Sequence, residues 1–258
     1  MSAQPQSAET GMTLVEHLTE LRKRLIICVL AVAVGMLVGF LLYPWVFDFL
    51  LRPYADIVRQ QPETSAIGDK LIQIDPLEGF GVRMKTSMYT GIAVAMPVIL
   101  WQVWKFVTPG LYDHEKRYAV PFVASALTLF VLGAGLAYYT LPNALNFLVN
   151  IGGDDLITAF APGKYFQLVT YMMLAFGIGF EFPIVLIFLQ MAGILQPDSL
   201  RTGRRYAIVG ICVLVAVITP SGDPISMLML SVPMVIFYEI SIVVGSIITK
   251  RQAARVTA

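Results

Sequence analysis

Charge is scarce in this chain, and with it most of what soluble chemistry is built from. Of 258 residues only 14% are Asp, Glu, Lys or Arg, while 57% are hydrophobic, and the mean hydropathy is +0.73. A soluble domain of this length must cover its surface with polar groups and does not reach such values. The composition therefore predicts an integral membrane protein. With 18 basic against 17 acidic residues the net charge is +1, which argues against a nucleic-acid binder. The two cysteines, Cys28 and Cys212, lie in apolar runs without CxxC spacing and read as small core residues, not as a redox pair or metal site. Histidine is nearly absent too. His114-Glu115 opens an apparent HExxH, but Tyr118 stands where the second zinc ligand belongs, and the other histidine is His17, so no metal and no metalloprotease is expected. Neither a GxxxxGK[ST] phosphate loop nor a GxSxG nucleophile turn occurs. No cofactor and no enzymatic activity are implied. The opening "MSAQPQSAETGM" has no basic stretch followed by a short apolar core, so no cleavable secretory leader is expected.

What the chain does have is long apolar runs. A spanning helix needs roughly 20 mostly apolar residues. Six segments meet or approach this, at about 25–43, 86–104, 118–141, 165–191, 206–219 and 226–249. The fifth is short: about 14 residues reach only ~21 Å of a ~30 Å hydrocarbon core. Pro220 and Gly222 end it, and the sixth run follows at once, which predicts a tight helical hairpin. Basic residues set the orientation. Arg22, Lys23, Arg24, Lys105, Lys116, Arg117, Arg201, Arg204, Arg205, Lys250, Arg251 and Arg255 fall on one side. Arg52, Arg59, Lys70, Arg83, Lys85 and Lys164 fall on the other, mostly in one long loop. Both termini are thus expected in the cytoplasm, with loops near 44–85 and 142–164 outside and the former a small ordered cap. Trp101 and Trp104 at the inner interface, and Tyr138 and Tyr139 at the outer one, fit aromatic belts. There is no internal repeat, and residues 1–258 read as a single membrane domain.

The informative residues are acids in costly places. Glu181 ("GIGFEFPIV") lies in the fourth run before a kinking Pro183, and Glu239 ("VIFYEISIV") lies in the sixth. An ionisable group at such depth marks function by default, although a buried carboxyl that hydrogen-bonds neighbouring helices, even a protonated one, explains each equally simply. Asp223 in "TPSGDPIS" is ordinary turn chemistry before Pro. At the N-terminal side, Leu14, Leu18, Leu21 and Leu25 recur at helical spacing, so an amphipathic helix leads into the first span. Thr13 with Glu16 fits a capping box. Glu20 can pair with Arg24 one turn on, an exposed contact worth a few tenths of a kcal/mol.

Four stretches carry a resemblance: "HLTELRKRL" (17–25), "PVILWQVWKFVTPGLYDHEKR" (97–117), "FGIGFEFPIVL" (176–186) and "ITPSGDPIS" (218–226). They resemble, in order and topology from about residue 13 to 250, the TatC family of the twin-arginine, Sec-independent protein translocase. The resemblance implies a concave, cupped bundle of six transmembrane helices braced by its outer loops, with a short fifth and sixth helix. It implies a receptor that binds, from the cytoplasmic side, signal peptides of folded cargo carrying two consecutive arginines, in an inner or plasma membrane with a proton-motive force. A guanidinium presents a planar fork that a carboxylate accepts bidentately and that lysine does not reproduce. On this resemblance Glu20 and Glu115 match the two signal-binding glutamates, with Arg22, Phe106, Tyr112 and Lys116 around them. Glu181 matches the family's acid lining the concavity. The implied partners are the single-span subunits TatB and TatA, docking at the last two helices, other copies of the chain, and the bilayer. Many members carry Gln after the Ser of the "DP.S" stretch; Met227 stands here, a departure that counts against a polar partner contact at that position.

A proton-coupled secondary transporter using Glu181, Glu239 and Asp223 is the alternative. Against it, the six uneven runs show no inverted repeat and no matched pair of broken helices. A purely structural subunit is a third reading.

Overall fold

The computed structural model describes residues 14–60, 71, 75–107, 119–151, 161–191, 193–219 and 222–256, and every regular element among them is helical. The predicted amphipathic lead-in and first span form one uninterrupted helix, α1 (Leu14–Leu41). Its 28 residues measure about 42 Å, so roughly two turns project beyond a ~30 Å hydrocarbon layer. A break at Leu42 leads to α2 (Tyr43–Gln60), an amphipathic helix where a long outer loop was expected. It starts with Pro44 in its first turn, where a missing N–H costs nothing. Val46, Phe47, Leu50, Leu51 and Tyr54 form the face that packs on the core.

The remaining helices are α3 (Glu78–Val107), α4 (Ala119–Asn150), α5 (Pro162–Gly179), α6 (Phe182–Met191), α7 (Pro197–Thr202), α8 (Arg204–Ile218) and α9 (Pro224–Val256). Among the described residues, five stretches are long and apolar enough to cross a membrane: α1, α3, α4, α5 with α6, and α9. The remaining predicted span, the fifth, is α8, whose 15 residues reach only about 22 Å. It is the short helix the sequence announced. The helices overrun the predicted spans. α3 begins at Glu78, and α4 passes through Pro142 to end at Asn150. The predicted fourth span is two helices. The Phe180 N–H still reaches the Phe176 carbonyl, but the Glu181 N–H tightens onto Ile178, and α6 restarts from there. Pro183 is the cause: its ring excludes the carbonyl four residues back, at Gly179, and offers it no N–H.

α1 packs on α3 and α2, α3 on α4 and α5, α4 on α5 and α9, α6 on α9, and α8 on α9 and α7. This leaves an open bundle with α1 and α8 at its two ends. α5 is central, burying Tyr165, Phe166, Val169, Met172 and Phe176 against Leu141 and Leu145 of α4 and Leu230 and Met234 of α9. Outward, α1 exposes Leu30, Val34 and Leu37, apolar residues that suit lipid. Association in lipid depends on close packing, and the α1–α3 crossing shows it. A Cβ on Gly35 would strike the Gly91 backbone, and one on Gly91 the Met36 backbone.

α2 is tied down by two tyrosines. Pro53 inside α2 cannot donate to the Phe49 carbonyl; the Tyr138 hydroxyl of α4 donates to it instead, at 2.9 Å, with the Phe49 and Tyr138 rings stacked at 4.4 Å. Next to it the buried Tyr165 hydroxyl donates to the Leu50 carbonyl at 2.6 Å and takes the Tyr54 backbone N–H, so it is inserted into the ladder of α2.

Three local expectations change. Cys212 is exposed on α8 and Cys28 half-buried, so neither is a core residue; α8 buries only Ile211 and Val215. Trp104 is buried against Phe122, ring centroids 4.5 Å apart, and belongs to the core, not to a belt. Trp101 remains half-exposed, with the Lys105 ammonium 5.5 Å from its ring centroid.

Candidate functional site

The close α1–α3 crossing brings the first turns of α1 beside the last turns of α3. There the His17 ring stacks on Phe106 at 4.5 Å, and Glu20 follows His17 by one turn of α1. The Glu20–Arg24 pair exists, but not as the exposed contact expected. Arg24 Nη2 donates to Glu20 Oε1 at 2.8 Å, with the two side chains only 23% and 16% exposed. Arg24 Nη1 donates to the Gln102 side-chain oxygen on α3 at 3.1 Å. Glu20 Oε2 is buried and has no hydrogen-bond partner among the described residues. Arg22 and Lys23 are exposed on the same segment. A carboxylate with one oxygen engaged and the other without a partner among the described residues, beside an aromatic ring and flanked by cations, can accept a further charge-assisted hydrogen bond.

The structure thus brings Glu20, Arg22 and Phe106 to one end of the bundle. Glu115, Tyr112 and Lys116 lie outside the described residues, as does Thr13 of the expected capping box. Gln102 was not anticipated. Its signal was a neutral amide between two tryptophans in an apolar helix ("WQVW"), which hydropathy averages away.

The other acids lie apart from this cluster. Glu181 is at the α5–α6 break, half-buried, and its Oε1 has no partner among the described residues. Asp223 is fully buried, and its Oδ1 takes the Ser226 N–H at 2.6 Å. With Pro224 opening α9 it is that helix's N-cap, reached through Gly222 at φ +60°, so the turn reading holds. Glu239 is a correction. It is neither deeply buried nor unpaired, because its Oε2 accepts from Arg204 Nη2 at 2.7 Å with the side chains 42% and 51% exposed. The shortness of α8 is the reason: its first residue stands level with the middle of α9. Met227, where the resemblance raised a departure, packs partly buried against the core.

Known proteins place this architecture. The family model described as "Sec-independent protein translocase protein (TatC)" matches residues 16–233. The chain belongs to the TatC family. The TatC protein of Frankia casuarinae is 40% identical over 251 residues, covering 96% of this chain and 69% of that protein. The TatC protein of Aquifex aeolicus is 39% identical over 244 residues, covering 93% of this chain and 98% of that one. A solved structure of the twin-arginine translocase receptor TatC superposes with a TM-score of 0.74 at 38% identity, covering 91% of this chain and all of the other. A second, of the same receptor in DDM, gives 0.74 at 39% identity and 89% coverage of this chain. This TatC-family chain is therefore a membrane component of the Sec-independent protein translocase, with the all-helical fold that the family's solved structures share. Its relatives are translocase components.

Proposed function

We propose that this chain is the receptor subunit that reads twin-arginine signal peptides of folded cargo at the cytoplasmic membrane surface. Glu20 takes one guanidinium, and Glu115, on the segment between α3 and α4, takes the other. Arg22, Phe106, Tyr112 and Lys116 shape the surround, with the His17–Phe106 stack forming one wall. The observation that carries the reading is the state of Glu20: a carboxylate at the membrane-proximal end of α1 whose Oε2 is buried without a partner among the described residues. Two adjacent arginines call for two separated carboxylates, because each guanidinium needs a charged acceptor of its own. Both termini sit in the cytoplasm, as the basic residues at this end of the bundle require. The loaded receptor then nucleates an export complex with TatB- and TatA-type single-span partners and with further copies of itself, driven by the proton-motive force.

The test uses Glu20→Ala and Glu115→Ala in the full chain. Each is expected to abolish export of a folded twin-arginine reporter while leaving membrane insertion and protein level unchanged. Losing one charge-assisted bond costs on the order of 1.5–3 kcal/mol, so peptide affinity should fall by roughly one to two decades. Wild-type binding by both variants refutes the proposal.

A further inference from the structure

Arg24 has a more specific place than an i,i+4 partner needs. Its guanidinium spans two helices, donating from Nη2 to Glu20 Oε1 on α1 at 2.8 Å and from Nη1 to Gln102 Oε1 on α3 at 3.1 Å. Gln102 is only 8% exposed and is held in the α1–α3 interface, so it fixes where the fork can sit. The fork in turn fixes one oxygen of Glu20. The second, Oε2, is left buried and unpartnered among the described residues. We infer that Gln102 and Arg24 are positioning residues for Glu20: the buried amide orients the Arg24 fork, and the fork holds the Glu20 carboxylate in one rotamer with Oε2 reserved for a guanidinium of the signal peptide.

This rests on the receptor reading and adds to it a source of specificity. A long carboxylate side chain on an isolated exposed helix samples several rotamers and must be ordered when the ligand arrives. Here that ordering is complete beforehand, which raises affinity without any new contact to the peptide. A carboxylate offers about four lone-pair positions, and Arg24 uses one of them. A bidentate internal partner would engage both Glu20 oxygens; instead the second Arg24 nitrogen turns to Gln102 and leaves Oε2 without a partner among the described residues. A lysine at position 24 keeps the charge but is a point donor that cannot bridge two acceptors in fixed directions. Two rival accounts make different predictions. A helix-stabilising ion pair gives Gln102 no role in peptide binding. An internal competitor, with Arg24 occupying the peptide's place, makes its removal tighten binding.

The experiment measures binding of two synthetic fluorescent signal peptides, one with Arg-Arg and one with Lys-Lys, to the purified full-length protein in lipid nanodiscs. Gln102→Met keeps side-chain length and removes the acceptor; Arg24→Lys keeps the charge and removes the bridge. Each should weaken Arg-Arg binding about tenfold, the size of one lost hydrogen bond, and leave Lys-Lys binding unchanged, so that discrimination shrinks. Thermal unfolding should stay near that of the parent. In a Glu20→Ala background neither substitution should weaken binding further, because residues acting through one carboxylate are not additive. Should Arg24→Lys fail to accumulate, Gln102→Met carries the test by itself. Parent-like or tighter binding, or equal losses with and without Glu20, overturns the positioning role. Parent-like binding by Glu20→Ala alone overturns instead the receptor reading beneath it.

Discussion

Removing one oxygen atom, by Tyr165→Phe, should loosen the clamp that fastens α2 to the bundle. The Tyr165 side chain is 1% exposed, and its hydroxyl donates to the Leu50 carbonyl at 2.6 Å while taking the Tyr54 N–H. Phenylalanine keeps the ring and its packing, edge-on to Phe166 with centroids 5.4 Å apart. The substitution therefore isolates the hydroxyl from the volume. A net hydrogen bond is worth about 0.5–1.5 kcal/mol, and a buried group left without a partner costs about 1–3 kcal/mol. Two backbone groups are affected, but they face each other across one helical turn and can partly bond to one another once the wedge is gone. The expected loss is therefore about 2 kcal/mol, which for a chain of this size lowers the unfolding midpoint by roughly 4–8 °C. Tyr138→Phe is the internal control. Its target, the Phe49 carbonyl, has no helical donor because of Pro53, but that hydrogen bond is exposed and water substitutes for it. Its loss should be smaller, about 1 kcal/mol or less. Tryptophan fluorescence on detergent-purified protein reads both, since Trp104 is buried. Affinity for a twin-arginine peptide should not change, as the clamp lies at the opposite end of α1 and α3 from Glu20. An unchanged midpoint for Tyr165→Phe, or a larger drop for Tyr138→Phe, would refute the reasoning.

Two further outcomes follow from the fold. Glu181→Gln should be tolerated in an export assay, because Gln retains the hydrogen-bonding capacity at the α5–α6 break, whereas Glu181→Leu should reduce export; equal damage by both would show that the charge itself matters. A reporter active only outside the cytoplasm should be silent when fused after Ala258 and active when inserted near Thr64, and activity at the chain's end would reverse the orientation.

Much of the fold was legible because hydropathy and period act along one helix at a time. The Leu18, Leu21 and Leu25 stripe predicted an amphipathic helix leading into the first span, and α1 does run unbroken into it, yet those leucines are exposed. The shortness of α8 was visible as residue count alone. What escaped depended on contacts across the sequence. α2 was read as part of a long outer loop forming a small ordered cap; the face formed by Val46, Phe47, Leu50, Leu51 and Tyr54 was the signal that it is a helix. Glu239 looked buried because depth was judged along α9, while its partner Arg204 lies 35 residues earlier on a helix too short to bury it. Glu20 looked like an exposed surface pair for the same reason: Gln102, 78 residues from Arg24, shields the contact, and only the α1–α3 crossing at Gly35 and Gly91 brings it there. Part of the site, Glu115 above all, rests on family resemblance and the proposal built on it.

The central claim is that a twin-arginine peptide docks on Glu20 at the end of α1. Photo-crosslinking tests it most directly, with a photoreactive amino acid placed at His17, and separately at Thr19 and Lys116, in the membrane-embedded full chain. Docking at Glu20 should give adducts with an Arg-Arg peptide at positions 17 and 116, lost with the Lys-Lys peptide and lost in Glu20→Ala. Equal labelling by the two peptides, or adducts that persist in Glu20→Ala, would contradict it.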